Sequence, residues 1–127
     1  MGLKDLSHEM WAHMRKSRQG HWQAQAYATL PKPEMSPRRA FQRFMAGEAE
    51  VVALGEMANR VVAVGVIPYP PGIPIVMPGE SIGGPDDPWL TYLRTLQEYG
   101  HRFPGFAREV EGTEERDGVY HVYCLKR

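Results

Sequence analysis

One cysteine, Cys124, occurs in the whole sequence. That excludes an internal disulfide framework and fits a reducing compartment. Net charge is also missing: 15 Lys and Arg stand against 15 Asp and Glu. No long-range field then draws the chain to nucleic acid or to an anionic membrane. No apolar run reaches the length that spans a bilayer. Met1-Gly2-Leu3-Lys4-Asp5 lacks the apolar core of a secretory signal, and position 6 is Leu rather than a hydroxyl, so the myristoylation pattern fails as well. The expectation is a soluble cytoplasmic protein with neither a nucleic-acid nor a membrane partner.

Catalytic and metal-binding patterns are scarce too. His8-Glu9-Met10-Trp11-Ala12-His13 places its histidines five apart. On a helix that turns the second ring about 140° away from the first, and one metal cannot be shared. His21, His101 and His121 show no ligand spacing with one another or with Cys124, so no metal is expected. No Gly-x-Ser-x-Gly elbow is present. Cys124 sits in an apolar stretch that suits an inert thiol. The glycines of Gly79-Glu80-Ser81-Ile82-Gly83-Gly84 lack the Lys-Ser/Thr ending of a phosphate loop. Arg38, Arg39 and Arg43 make a basic face suited to solvent or to a domain interface.

What is abundant is glycine and proline, 13 and 11 residues, in a chain with 43% apolar and 24% charged content. At 127 residues one core can form. Nine prolines fall between Pro31 and Pro85, interleaved with β-formers, which argues rigid connections rather than disorder. Leu3, Leu6, Met10 and Met14 predict a helix over 3–17 that Gly20 ends. A short helical stretch is expected around Gln23–Leu30, then an extended segment through Pro31 and Pro33. Ser36-Pro37 and Asp87-Pro88 each read as an N-cap followed by proline at the first helical position. The first helix would carry Ala40, Phe41, Phe44 and Met45 on one face and stop at Gly47. The second would bury Trp89, Leu90, Tyr92, Leu93, Leu96 and Tyr99 and stop at Gly100.

Between them, Val51–Leu54 predicts a strand, residues 55–59 one turn of helix or a loop, Arg60–Ile67 a buried strand and Ile73–Met77 a short edge strand. Pro71-Gly72 fits the centre of a type II turn. Phe103-Pro104-Gly105-Phe106 reads as a tight aromatic connection. Arg108–Thr113 and Val119–Leu125, turning at Asp117-Gly118, predict a closing hairpin. The whole is α+β: a single compact domain, with a small mixed or antiparallel sheet, helices on one side and a C-terminal β-hairpin. Residues 1–30 read as entry helix and linker, and 31–127 as the core.

Four ordered segments carry a resemblance. They are Pro68-Tyr69-Pro70-Pro71-Gly72-Ile73-Pro74 with Met77-Pro78-Gly79-Glu80; Glu34-Met35-Ser36-Pro37-Arg38-Arg39-Ala40-Phe41; Phe103-Pro104-Gly105-Phe106; and Glu111-Gly112-Thr113-Glu114 with Asp117–Val122 and Cys124-Leu125-Lys126. Together they resemble the C-terminal domain of the bacterial lysine/arginine/ornithine decarboxylases. The resemblance implies a large cytoplasmic enzyme, dimeric or decameric, that uses pyridoxal 5'-phosphate to convert a basic amino acid to its amine and carbon dioxide. Likeness of the closing hairpin points toward lysine or arginine.

Such chemistry requires a cofactor-holding lysine, which in the family follows a histidine. Here Lys4, Lys16, Lys32 and Lys126 follow Leu3, Arg15, Pro31 and Leu125. No catalytic, cofactor-binding or metal residue carries over, and the cofactor domain lies outside the chain. The expected role is non-catalytic: packing on the other domains and bordering the active-site entrance through Tyr69, Pro70, Pro71, Gly72, Gly79 and Glu80. A free-standing interaction or regulatory module of the same fold is the alternative. A small adaptor presenting Pro68-x-x-Pro71-x-x-Pro74 to an aromatic groove is a third reading.

Overall fold

The computed structural model describes residues 2–68, 72–105 and 110–127. Helix α1 (Leu3–Lys16) and helix α2 (Gln19–Ala28) follow one another almost without a break. Arg18 makes the turn, in the left-handed region at φ 57°. Gly20, expected to end the first helix, lies inside the second. The left-handed backbone of Arg18 already supplies the reversal two residues earlier, so the glycine has no stop to make.

Strand β1 (Lys32–Pro33) leads to helix α3 (Pro37–Met45), strand β2 (Ala49–Ala53) and a single 3-10 turn at Leu54–Glu56. As expected, Ser36 caps α3, its hydroxyl accepting from the Arg39 N–H at 3.2 Å, and Gly47 leaves it at φ 79°. The apolar face of α3 is not single, however. Ala40 is fully buried, whereas Phe41 and Met45 are 61% and 68% exposed. Ala40 and Phe44 point inward and the other pair points away, because two adjacent couples four apart straddle more of the helix circumference than one contact face covers.

Strand β3 (Ile67–Pro68), strand β4 (Glu80–Ser81), helix α4 (Pro88–Arg102), and strands β5 (Val110–Glu111), β6 (Thr113–Arg116) and β7 (Val119–Leu125) complete the order. Asp87 caps α4, accepting from Trp89 N–H at 3.1 Å. All six expected apolar side chains of α4 are buried. Gly100 does not close this helix, which runs on to a cap at Phe103; a helical glycine costs only about 1 kcal/mol and the packed face outweighs it.

The strands make three antiparallel groups, β1–β4, β2–β7–β6 and β3–β5. The predicted strand Arg60–Ile67 is instead a stitch between them. Ala63 N–H donates to Tyr123 O, Leu125 N–H to Val61 O, Val62 N–H to Glu80 O, and Gly79 N–H to Val62 O. Three residues on, Val66 pairs with Val76. Successive residues thus pair with different partners, and the chain bends at Ala63–Gly65 rather than running as one strand. Ile73–Met77 likewise reduces to the single bridge at Val76. The hairpin is shorter than expected. Gly112, at φ 90°, separates β5, which pairs with β3, from β6, which pairs with β7. At the turn Asp117 and Gly118 both take positive φ, 51° and 78°, as a type I′ turn requires.

The class is α+β, as expected. Tyr120, Val122 and Cys124 of β7 join the principal core with Val52, Val62, Ala26 of α2 and the buried face of α4. Alternation sends Leu125 to the opposite face, where Ala40 and Ala63 meet it. There Phe44 packs edge-on to Tyr123 at 5.5 Å. Helices α2 and α4 therefore cover one face, and the small α3 lies on the other.

Candidate functional site

Of the six residues singled out from the sequence, the structure describes Gly72, Gly79 and Glu80. Tyr69, Pro70 and Pro71, and with them the proposed type II turn, lie outside the described residues, as does Phe106 of the aromatic connection. Gly72, at φ 78°, donates its N–H to Pro68 O at 2.8 Å. The base of this proline loop is closed by Val66 and Val76, and Tyr27 of α2 donates its hydroxyl to Ile73 O at 3.0 Å. Burial, with a smaller contribution from Tyr92, raises the Tyr27 phenol above its ordinary pKa, so it stays a donor.

Gly79 and Glu80 sit at the other end of that segment. Gly79 takes φ 88°, and a Cβ there would run into the carbonyl oxygen of Met35. Its own carbonyl accepts from Glu34 and Met35 N–H groups at 3.0 and 3.2 Å. Only glycine permits that approach. The Glu80 carboxylate accepts from Met77 N–H at 2.6 Å, so it serves a local turn.

Glu80 also borders a small cavity of about 220 Å³ with Tyr27, Pro74 and Met77. Beside it a cleft of about 440 Å³ opens between Leu30, Lys32, Asn59, Ser81 and Asp87. Asn59 was missed by the sequence reading. It adopts φ 62° and donates its N–H to Gly83 O at 2.9 Å; its residue type, which tolerates the left-handed region better than most, was the one available signal. Asp87 is occupied by the N–H groups of Trp89 and Gly83. Ser81 Oγ donates to Lys32 O at 3.2 Å.

The reactive groups are held apart or inert. Cys124 is buried, and burial pushes its thiol up to about 11 against a partial offset from Arg60. His13 packs against Phe103 and Tyr99, His21 against Trp22, and His101 and His121 contact the carbonyls of Gly118 and Val119. Among the described residues no three His, Cys, Asp or Glu side chains come together as a metal site.

All four lysines are exposed. Lys32, at the 440 Å³ cleft, is 79% exposed with its ammonium 3.6 Å from Glu34, and among the described residues no aromatic ring lines that cleft. These residues do not fit a covalently held pyridoxal cofactor, which needs a shielded amine and a ring stacked on it.

A small α+β domain whose polar groups serve its own backbone is thus what the geometry defines. The family described as "Orn/Lys/Arg decarboxylase, C-terminal domain" matches residues 20–126, and the chain belongs to that family.

The biodegradative arginine decarboxylase of Escherichia coli is 43% identical over 126 residues, covering 99% of this chain and 17% of the relative. Lysine decarboxylase LdcA of Pseudomonas aeruginosa is 36% identical, with the same coverage. The solved constitutive lysine decarboxylase of E. coli superposes with a TM-score of 0.92 at 37% identity, over 99% of this chain and 18% of that one. The Francisella novicida lysine decarboxylase LdcF gives 0.91 at 31% identity. The chain spans about a sixth of the length of these relatives.

No helix among the described residues is long and apolar enough to cross a membrane.

Proposed function

We propose that this chain serves as the non-catalytic C-terminal domain of a cytoplasmic, pyridoxal-phosphate-dependent decarboxylase of lysine, arginine or ornithine. That enzyme works as a homodimer or a larger assembly. Bound in its own domain, the cofactor would supply the electron sink that allows loss of carbon dioxide and uptake of a proton. The observation that carries the reading is the exposure of all four lysines in a chain matching only a sixth of each decarboxylase.

The domain's part is mechanical. It offers a pre-folded surface whose apolar side chains Ile73 and Met77, 55% and 44% exposed, belong to the segment from Gly72 to Gly79. This supports the view that Tyr69, Pro70, Pro71, Gly72, Gly79 and Glu80 border the other domains or the entrance to the reacting centre. Pro68 is fully buried in β3, which counts against an adaptor presenting Pro68, Pro71 and Pro74 together to an aromatic groove.

The deciding experiment measures carbon dioxide release from each of the three amino acids, by the full-length gene product and by the 127-residue chain. Turnover by the former alone is expected. Turnover by the isolated chain would overturn the reading, as would a gene product with no cofactor domain. Deleting Tyr69–Gly72 from the intact enzyme tests the loop, and unchanged assembly and turnover would remove it from the proposal.

A further inference from the structure

The cleft of about 440 Å³ between Leu30 and Asp87 has no part in the role proposed above. Its volume falls within the range of small-molecule sites, roughly 300–1,000 Å³. Strand β1 and the residues after it bring Lys32 and Glu34 to one wall, with Lys32 paired to Ser81 of β4. The cap of α4 brings Asp87, and Asn59 enters from just ahead of the stitch segment. The floor is apolar: Ile82 is buried there and Val61 half-buried.

The polar groups of this cleft are unequally committed. Asp87 already accepts from two backbone N–H groups. Glu34 has only the Lys32 ammonium, 3.6 Å away, and a long contact from the Ser81 hydroxyl at 3.4 Å. Both members of that ion pair are exposed, so the pair is weak and readily replaced. Asn59 holds a left-handed backbone at φ 62°, and its side-chain amide has no hydrogen-bond partner among the described residues. Residues in such backbone states gather where ligands are held. The cleft therefore presents one cation, one carboxylate not spent on the backbone and one unused amide, over an aliphatic floor.

We infer that this cleft binds a free α-amino acid as its zwitterion. Lys32 and the Asn59 amide take the ligand's carboxylate, Glu34 takes its ammonium, and an aliphatic side chain lies on Val61 and Ile82. A ligand with a single charge separates Lys32 from Glu34 and answers one of them. A zwitterion answers both, so opening the pair loses nothing. Binding is non-covalent, and it does not depend on which reaction the parent enzyme performs.

NMR titration of the 127-residue chain tests it, with L-norleucine as the probe and hexylamine and hexanoate as single-charge controls. Norleucine should saturate the shifts of the Gly83 amide and the Asn59 side-chain amide, with a dissociation constant on the order of 1 mM. Each control should bind about tenfold more weakly. Lys32→Met and Glu34→Gln should each weaken norleucine about tenfold and leave circular dichroism unchanged, because both side chains face water. Asn59→Gly keeps the left-handed backbone, removes the amide and should weaken binding as well. No saturable shift up to about 20 mM norleucine overturns the inference. So does equal binding by the Lys32→Met chain. Hexylamine that matches norleucine overturns the choice of ligand, since the cleft would then read a cation alone.

Discussion

Arg60 and Glu50 form an unequal ion pair: the guanidinium is buried, the carboxylate is 45% exposed, and Nη2 lies 2.8 Å from Oε1. The same Nη2 donates to Leu125 O at 3.1 Å, tying the end of β7 to the start of the stitch segment. Removing the exposed partner strands the buried charge, whereas removing the buried one leaves a carboxylate that water can solvate. Glu50→Gln should therefore cost about 2 kcal/mol, and Arg60→Met, which fills the space with an apolar chain, below about 1 kcal/mol. Thermal unfolding separates these as melting-temperature drops of roughly 8 °C and under 4 °C. A larger loss for Arg60→Met would show that the Leu125 contact, not the ion pair, dominates.

Two left-handed glycines give a matched test of backbone approach. Gly47 and Gly79 have φ of 79° and 88°, yet a Cβ at Gly47 meets nothing within 4 Å, whereas one at Gly79 meets Met35 O. Gly47→Ala should cost about 1 kcal/mol, the strain of a left-handed alanine. Gly79→Ala adds displacement of the Met35–Ser36 backbone and should cost about 3 kcal/mol. Urea midpoints read both. Equal losses would mean that the Met35 segment yields freely.

What the sequence disclosed and what it withheld divide by distance along the chain. Ser36-Pro37, Asp87-Pro88 and Asp117-Gly118 declare themselves because a cap or a primed turn is settled within four residues. Arg60–Ile67 does not, because its partners Ser81, Cys124 and Val76 are remote and differ from residue to residue. Gly20 and Gly100 misled for a related reason: a glycine stops a helix only if the chain must reverse there. The reversal after α1 falls at Arg18 instead, and packing of α4 carries that helix past Gly100. The site was half legible. Gly79 stands out in its motif, but the Met35 carbonyl that requires it is known only from the fold. Asn59 offered only its residue type, which tolerates the left-handed region, and the Gly83 carbonyl that it meets is known only from the fold.

The cap of α4 joins local and tertiary roles in one side chain. Asp87 accepts from Trp89 N–H at 3.1 Å through Oδ1 and from Gly83 N–H at 3.2 Å through Oδ2. It thus fixes the helix and the wall of the 440 Å³ cleft together. Asp87→Ala should cost about 2 kcal/mol, near the upper end for lost caps, and Asp87→Asn less than half of that because one acceptor survives. The check is chemical unfolding of both variants beside Ser36→Ala, which loses a single bond and should cost about 1 kcal/mol.

Alkaline conditions probe the principal core through Cys124. Burial lifts its thiol from an ordinary 9.0 to about 11, and Tyr120, four residues earlier on β7, is lifted to about 12 by burial and by Glu115. A group whose folded pKa is raised keeps its proton in the native state after the unfolded chain has lost it. Its contribution is complete below pH 9 and is lost as pH rises through 11. Stability should fall by about 2 kcal/mol from Cys124 over that window, with Tyr120 adding its share above pH 10. Urea unfolding at pH 8 and pH 10.5 measures the fall. Cys124→Ala should be less stable at pH 8 yet show a shallower decline, and Tyr120→Phe should remove the remaining slope. A decline as steep in the Cys124→Ala, Tyr120→Phe double variant as in the parent chain would place the alkaline sensitivity elsewhere. The same burial predicts that a thiol-specific reagent labels Cys124 at pH 8 only at the rate of global unfolding.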